Sequence, residues 1–391
     1  MDLCNEQNCC GCGMCEKKCP KQAIEIKENE NGFWYPYIDK KKCIECGICK
    51  KQCKFQQLQI DNQEMQKPIM CYAAQNENRN EEKRSASGGV FFAIAKNFIE
   101  NGGWVCGAIM EIKNNKTRVY HIISNQLEDI KKMQGSKYIQ SDIREIIEEI
   151  KNKISQNNKV LFCGTPCQNS AIKGIIGNNQ NLFLMDIICH GVPSQKMFND
   201  YLKITFGKKD ILCEFVFRDK TFKGKFVIRK VLINRGKKKI VYRPAHLESY
   251  YNLFLRSLIY RDCCYNCPFA SEKRITNITI GDYWGIEKLH KEISVEKNNK
   301  AWSCVLVNTK QGMELIDRYA KNIKLIETDF ENIKNGNGQL NKPSECNQNI
   351  RKAIFTKYRK NGYKEIDKMY KKEIGTLKYK MLSIRYKFLK Y

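Results

Sequence analysis

The chain has 391 residues, of which 42% are hydrophobic and 10% aromatic; 69 Lys and Arg stand against 42 Asp and Glu, and there are 21 cysteines. That apolar content excludes disorder as the main state, and the length accommodates two or three domains. No run approaches the ~18 apolar residues of a membrane span, and the polar, cysteine-bearing start is no signal peptide. The sequence therefore reads as cytoplasmic, with cysteines serving metal or redox chemistry rather than disulfides.

The formal net charge of +27 would attract nucleic acid, an anionic membrane or an acidic protein. The abundance of Asn, Lys and Ile throughout is equally what an AT-rich genome produces. No nucleic-acid recognition motif accompanies the charge, so no nucleic-acid partner is expected.

Residues 9–20 read CCGCGMCEKKCP and residues 43–53 read CIECGICKKQC. Both runs carry the C-x2-C-x2-C-x3-C spacing of bacterial [4Fe–4S] sites, in which the fourth cysteine of each run ligates the other cluster. Cluster one would use Cys9, Cys12, Cys15 and Cys53; cluster two would use Cys43, Cys46, Cys49 and Cys19. A zinc ribbon would instead place two C-x2-C pairs on one ion. Gly11, Gly13 and Gly47 keep side chains clear of the loops and free N–H groups for the sulfurs. Lys54 stands where proline is usual, and Cys4 and Cys10 are spare.

The reading is thus an α+β ferredoxin-like dicluster domain over 1–58, a polar linker over 59–69, and an α/β domain over 70–345 with an additional antiparallel β region. The α/β domain divides into an N-terminal part, 70–150, and a C-terminal part, 151–345, and a basic helical segment, 346–391, follows. In chain order, Gly88-Gly89 opens a helix that stops at Gly102-Gly103; WVCGAIM and RVYHIIS are strands; IREIIEEIKNKISQ is an amphipathic helix. KVLFCGTPCQ and NLFLMDIICHG each run from strand into loop with a helix between, which implies parallel pairing. EFVFRD, KFVIRKVLIN and KKIVYR alternate as antiparallel strands; HLESYYNLFLRSLIY is helical, and ITNITIGDYWG and SCVLVNT contain strands.

The loops GTPCQ and CHGVPS then fall at the C-terminal ends of neighbouring parallel strands, where open α/β sheets bind ligands. Cys167 and Cys189 meet there, and with Cys264 and Cys267 of CCYNCPF they could hold a third [4Fe–4S] cluster, with Cys163 or Cys263 as substitutes. Packed thiols, or a zinc knuckle at Cys264 and Cys267, are the alternatives. Ser87, Gly88 and Gly89 before a helix, with Ser136 and Lys137 of QGSKYIQ, suit a pyrophosphate.

The order SGG, GSKY, GTPCQ, CHGVPS, CxxCPFA and ITIGDYWG resembles the beta-subunit family of coenzyme F420 hydrogenases and dehydrogenases. The resemblance implies FAD alongside the clusters. Ser87, Gly88, Gly89, Ser136, Lys137, Tyr138, Thr165 and Gln168 would contact FAD. His190, Gly191 and Asp282 would line the flavin ring, His190 and Asp282 in catalytic roles; His190 could equally hold its own loop. The implied activity moves electrons between ferredoxin, clusters, FAD and a hydride-accepting small molecule, F420 being one possibility, in either direction. The other reading is a non-catalytic electron-transfer subunit beside a hydrogenase or dehydrogenase partner. In the tail, Leu377, Met381, Ile384 and Phe388 form a stripe on a basic helix. That stripe is expected to pack on the α/β domain, with at most peripheral membrane contact.

Overall fold

A computed structural model describes residues 5–53, 55–57, 65–206, 210–222, 227–290, 293 and 301–387. Cys4, Lys54 and Phe388 lie outside the described residues, as does the side chain of Ile384.

The dicluster domain is built on a hairpin, β1 (Ile24–Glu28) and β2 (Trp34–Ile38), paired antiparallel from Ile24 opposite Ile38. Two single-turn helices, α1 (Met14–Lys18) and α2 (Ile48–Lys51), pack against each other, each entered through a left-handed glycine, Gly13 and Gly47. The glycines let the chain reverse straight after a C-x2-C step, which a Cβ would resist.

Eight strands form the main sheet, and three form a separate antiparallel one. The main-sheet strands are β3 (Met70–Asn76), β4 (Trp104–Lys113), β5 (Lys116–Ser124), β6 (Val160–Gly164), β7 (Leu182–Ile187), β11 (Ile278–Asp282), β12 (Ser303–Val307) and β13 (Ile323–Glu327), in the order β13-β3-β12-β11-β7-β6-β4-β5. The run β4-β6-β7-β11 is parallel and the outer pairs are antiparallel. Leu161, Phe162, Phe183 and Met185 are fully buried, as expected of strands covered on both faces. The strand–loop–helix units predicted at GTPCQ and CHGVPS are present: helix α3 (Pro166–Ile176) follows β6 and helix α4 (Gln195–Thr205) follows β7. The predicted helix after Gly89 spans Val90–Glu100, and Phe92, Ala93, Ile94 and Phe98 enter the core.

The second sheet, β8 (Asp210–Asp219), β9 (Val227–Asn234) and β10 (Lys237–Arg243), carries an aromatic core with Phe198, Tyr201, Phe215, Phe217 and Tyr250. The segment 246–260, expected as one helix, is α-helical only over Ser249–Leu255, after a 3-10 turn at Ala245–Leu247; Ser257 takes a left-handed conformation beyond its end. The expected linker is partly structured. Met65 packs beside Phe55 and Phe269, and Gln66 bridges Arg274 through both backbone bonds (2.9 and 2.7 Å).

The tail forms helices Gln348–Asn361, Tyr363–Ile374 and Thr376–Lys387. The first two bury Ile354, Phe355, Tyr358, Tyr363 and Ile366 against the aromatic core. Of the predicted stripe, Leu377 and Met381 are exposed (76% and 64%), so these two do not pack as expected. Among the described residues no helix is long and apolar enough to cross a membrane.

Candidate functional site

Cysteines gather around three small cavities. The first is walled by Cys9, Cys12, Cys15 and Cys53, the set inferred for cluster one, closed by Met14, Ile26, Pro36 and Phe55. Its last wall comes from the α/β domain, as Cys167 and Ala171 of α3. Gly11 and Gly13 are needed for a more specific reason than clearance. A Cβ on Gly11 would stand 2.8 Å from Arg261 Nη1, and one on Gly13 2.5 Å from Arg144 Cγ. The second cavity is walled by Cys19, Cys43, Cys46 and Cys49 with Ile44 and Ile48, and Cys46 is exposed. Ala23 N–H donates to Cys19 Sγ (3.2 Å), the kind of bond that tunes a ligating sulfur.

The third cavity brings Cys167, Cys189, Cys264 and Cys267 together, as inferred, and adds Cys10, Cys263, Arg261 and Arg274. The proposed substitute Cys163 lies elsewhere, on the end of β6, where it lines a larger cavity; Cys263 is in place. The neighbouring Cys10 and Thr165, whose Oγ1 lies 3.2 Å from Cys167 Sγ, hold the Cys167 thiol below the usual cysteine range against its burial. Among the described residues no group of three or more His, Cys, Asp or Glu converges to hold a single metal ion; the thiols surround voids instead.

A larger cavity of about 310 Å³ opens at the C-terminal rim of β6, β7 and β11. Ser87, Gly89, Ser136, Lys137, Tyr138, Thr165, Gln168, His190, Gly191 and Asp282 all line it. Gly88 does not. Its N–H donates to Ser303 Oγ (2.9 Å), and a Cβ there would sit 2.4 Å from Ala74 O, so this glycine serves close approach to the sheet rather than to a phosphate. Gly89, left-handed at φ 84°, starts the 90–100 helix with no side-chain cap, which leaves a helix N-terminus facing the cavity and suited to an anion.

Several expected contacts have their polar atoms engaged within the chain. Lys137 Nζ donates to the carbonyls of Lys132, Met133 and Gln134 (3.0, 2.8 and 2.9 Å), capping the helix Leu127–Met133. Gln168 Oε1 accepts from Thr165 N–H (3.0 Å), and its amide donates to Ser141 O and Oγ (both 2.9 Å). GTPCQ is thus a T-x-x-Q capping box, a signal present in the sequence and missed. Tyr138 presents a ring packed on Phe254 (4.2 Å between centroids) and Tyr251 (5.4 Å). Asp282 accepts from Arg218 Nη1 (2.6 Å), and His190 is held by its carbonyl, which accepts from Ser344 Oγ (2.6 Å). A Cβ on Gly191 would meet the Tyr260 ring at 2.3 Å.

The structure adds groups that sequence reasoning passed over. His121 is buried at 2%, and its Nε2 lies 3.1 Å from Cys163 O. Nδ1 has no hydrogen-bond partner among the described residues, and the ring lines the large cavity. Burial lowers its pKa to about 4, so it is a neutral acceptor. Arg218 stands over Trp284 (5.7 Å) at the same cavity, and Arg261 is fully buried.

Four thiols wall each of the first two voids, as in a dicluster domain, while the large cavity has a helix N-terminus at one side and Tyr138 and Trp284 among its walls.

Comparisons with known proteins bear on the iron–sulfur part of the chain and on residues 157–332. Residues 8–57 match the 4Fe-4S dicluster domain, which makes the protein an iron–sulfur protein. Residues 157–332 match the family described as the C terminus of the coenzyme F420 hydrogenase/dehydrogenase beta subunit. The chain is thus similar to that beta-subunit family over residues 157–332 and to dicluster ferredoxins over residues 8–57, in the order the sequence motifs imply. A chain in the xenon-derivatised F420-reducing [NiFe] hydrogenase complex from Methanosarcina barkeri is 15% identical; the match covers 75% of this chain and 94% of that one, with a TM-score of 0.43. No curated protein matches the chain.

Proposed function

We propose that the protein is an iron–sulfur flavoprotein oxidoreductase, passing electrons between an acidic ferredoxin and a hydride-accepting small molecule through [4Fe–4S] clusters and FAD. The observation that carries this reading is the continuity of the cavities. Cys10 lines the first, the third and the large one; Cys167 also lines all three, and Cys189 the last two. Cys9, Cys12, Cys15 and Cys53 would hold cluster one, Cys19, Cys43, Cys46 and Cys49 cluster two, and Cys167, Cys189, Cys264 and Cys267 a third. FAD would supply two-electron hydride chemistry on one side and single electrons on the other.

The chain's own residues position and shield. The 90–100 helix N-terminus receives a phosphate charge, Tyr138 offers a ring face, and the capping box fixes Cys167 at the start of α3. Asp282 is taken up by Arg218 (2.6 Å) rather than left to act as a general base. His121, neutral and unprotonated at Nδ1, can accept a hydrogen bond from a ligand N–H or O–H. Electron entry at cluster two is supported by its rim: residues 17–21 and 40–51 carry eight lysines against one acid, Glu45, around the exposed Cys46 and Ile44. Such a collar attracts an acidic carrier.

The family is named for a subunit, which favours a second reading as a wire within a larger dehydrogenase. Anaerobic reconstitution separates the two. About twelve irons per chain, falling to about eight in Cys264→Ser/Cys267→Ser, together with one FAD and turnover with a soluble donor, is the expected result. Clusters without flavin would leave only the wire.

A further inference from the structure

Arg261 is fully buried, yet its guanidinium joins two parts of the chain far apart in sequence. Nε donates to Cys9 O (2.6 Å), Nη2 to Trp34 O (2.5 Å) and toward Cys9 Sγ (3.8 Å), and Nη1 to Gln140 Oε1 (3.2 Å). The group lies over the Tyr35 ring (4.1 Å). Gln140 in turn donates to Cys10 O (3.0 Å). Arg261 also lines the third cavity beside Cys263 and Cys264. No carboxylate is within salt-bridge distance of this cation among the described residues; its contacts are carbonyls, an amide, an aromatic face and a sulfur.

We infer that Arg261 is a positioning residue that raises the reduction potential of the cluster held by Cys9, and so biases electrons toward it from the cluster of Cys43, Cys46 and Cys49. The inference rests on the reading of Cys9 as a ligand. Adding one electron to a cubane adds one negative charge, and a fixed buried cation beside a ligating sulfur favours the reduced form. A hydrogen bond to the sulfur acts in the same sense. The electron comes from dithionite in the test below, and no proton or bond change at Arg261 is involved. Gly11 is the complementary feature, since any side chain there would displace the guanidinium.

The test is a redox titration of the anaerobically reconstituted full-length protein, followed by EPR, on the wild type, Arg261→Lys and Arg261→Gln, with iron content measured in each. Arg261→Gln should make the Cys9 cluster at least about tenfold harder to reduce, a drop of about 59 mV or more for one electron, with the cluster of Cys19, Cys43, Cys46 and Cys49, which Arg261 does not touch, unchanged. Arg261→Lys should stay closer to wild type. If Arg261→Gln loses only the iron of that cluster while Arg261→Lys keeps it, the buried charge is again what matters. Unchanged potentials in a fully loaded Arg261→Gln, or equal loss of iron in both variants, would overturn the inference. Cys9→Ser separates this from failure of the underlying reading: if it leaves iron content and every EPR signal unaltered, Cys9 holds no cluster and the assignment of cluster one falls instead.

Discussion

Asp186, on β7, is fully buried and accepts from Arg274 Nη2 (2.6 Å). The same guanidinium donates to Phe269 O (2.9 Å), two residues beyond Cys267, and to Thr279 Oγ1 (3.1 Å). The pair therefore ties the C-x2-C loop of the third cavity to the central strands. Replacing Asp186 with Asn leaves a buried guanidinium without its counter-charge, a loss of about 3–5 kcal/mol. With an unfolding entropy of ~2.1 cal/mol/K per residue over 391 residues, a 4 kcal/mol loss lowers Tm by roughly 5 °C. Anaerobic calorimetry on the reconstituted protein reads this directly. Removing both charges in Asp186→Leu/Arg274→Met should recover most of the loss, because uncharged neighbours of similar size need no partner. An Asp186→Asn protein melting within about 1 °C of wild type would refute the account of Arg274 as a cation dependent on that carboxylate.

Gly191→Val should destabilise by about 1–3 kcal/mol or more, since its φ of 141° and the Tyr260 ring at 2.3 Å both oppose a side chain; Gly102→Val, left-handed but open on all sides, should cost less in the same urea titration. Burial lowers the His121 pKa to about 4, so between pH 6.5 and 4 the unfolded chain binds a proton that the folded chain refuses, and stability is lost as pH falls. The stability gap between wild type and His121→Gln should therefore narrow by about 2–3 kcal/mol from pH 7 to pH 4.5, and a constant gap would contradict a buried neutral imidazole. Lys41→Glu/Lys50→Glu, both exposed at the rim of the second cavity, should slow association with an acidic ferredoxin about tenfold at low salt; stopped-flow rates that fail to converge at high salt would point to something other than charge steering.

The parallel strands are readable because β6 and β7 are apolar apart from Asp186, with a glycine- or proline-bearing loop at one end and a helix after it, so the ligand rim follows from topology. The two ferredoxin motifs were readable because ligation depends on local spacing. What failed has two causes: some decisive partners are distant in sequence, as Ser303 is from Gly88, and some local hydrogen bonds, as at Lys137, depend on side-chain conformation that the residue pattern does not show. Nothing near Gly88 announces that Ser303 takes its N–H, nor does QGSKYIQ reveal that Lys137 is occupied by three carbonyls of the preceding turn. Thr165 and Gln168 are legible as a cap from the T-x-x-Q spacing alone. Arg261 and His121 carry no motif at all; only the fold brings them beside Cys9 and the large cavity.

The first cavity takes its final wall from Cys167 and Ala171 of α3, and Arg261 and Arg144 lie against the two glycines of its loop. A dicluster unit fastened in this way does not travel. Tethered carrier domains swing between donor and acceptor, and their turnover slows as the solvent thickens. Here the spacing between the first and third cavities is set by packed side chains, so electron passage between them should proceed at the same rate in buffer and in concentrated glycerol, leaving encounter with the external carrier as the step that viscosity controls.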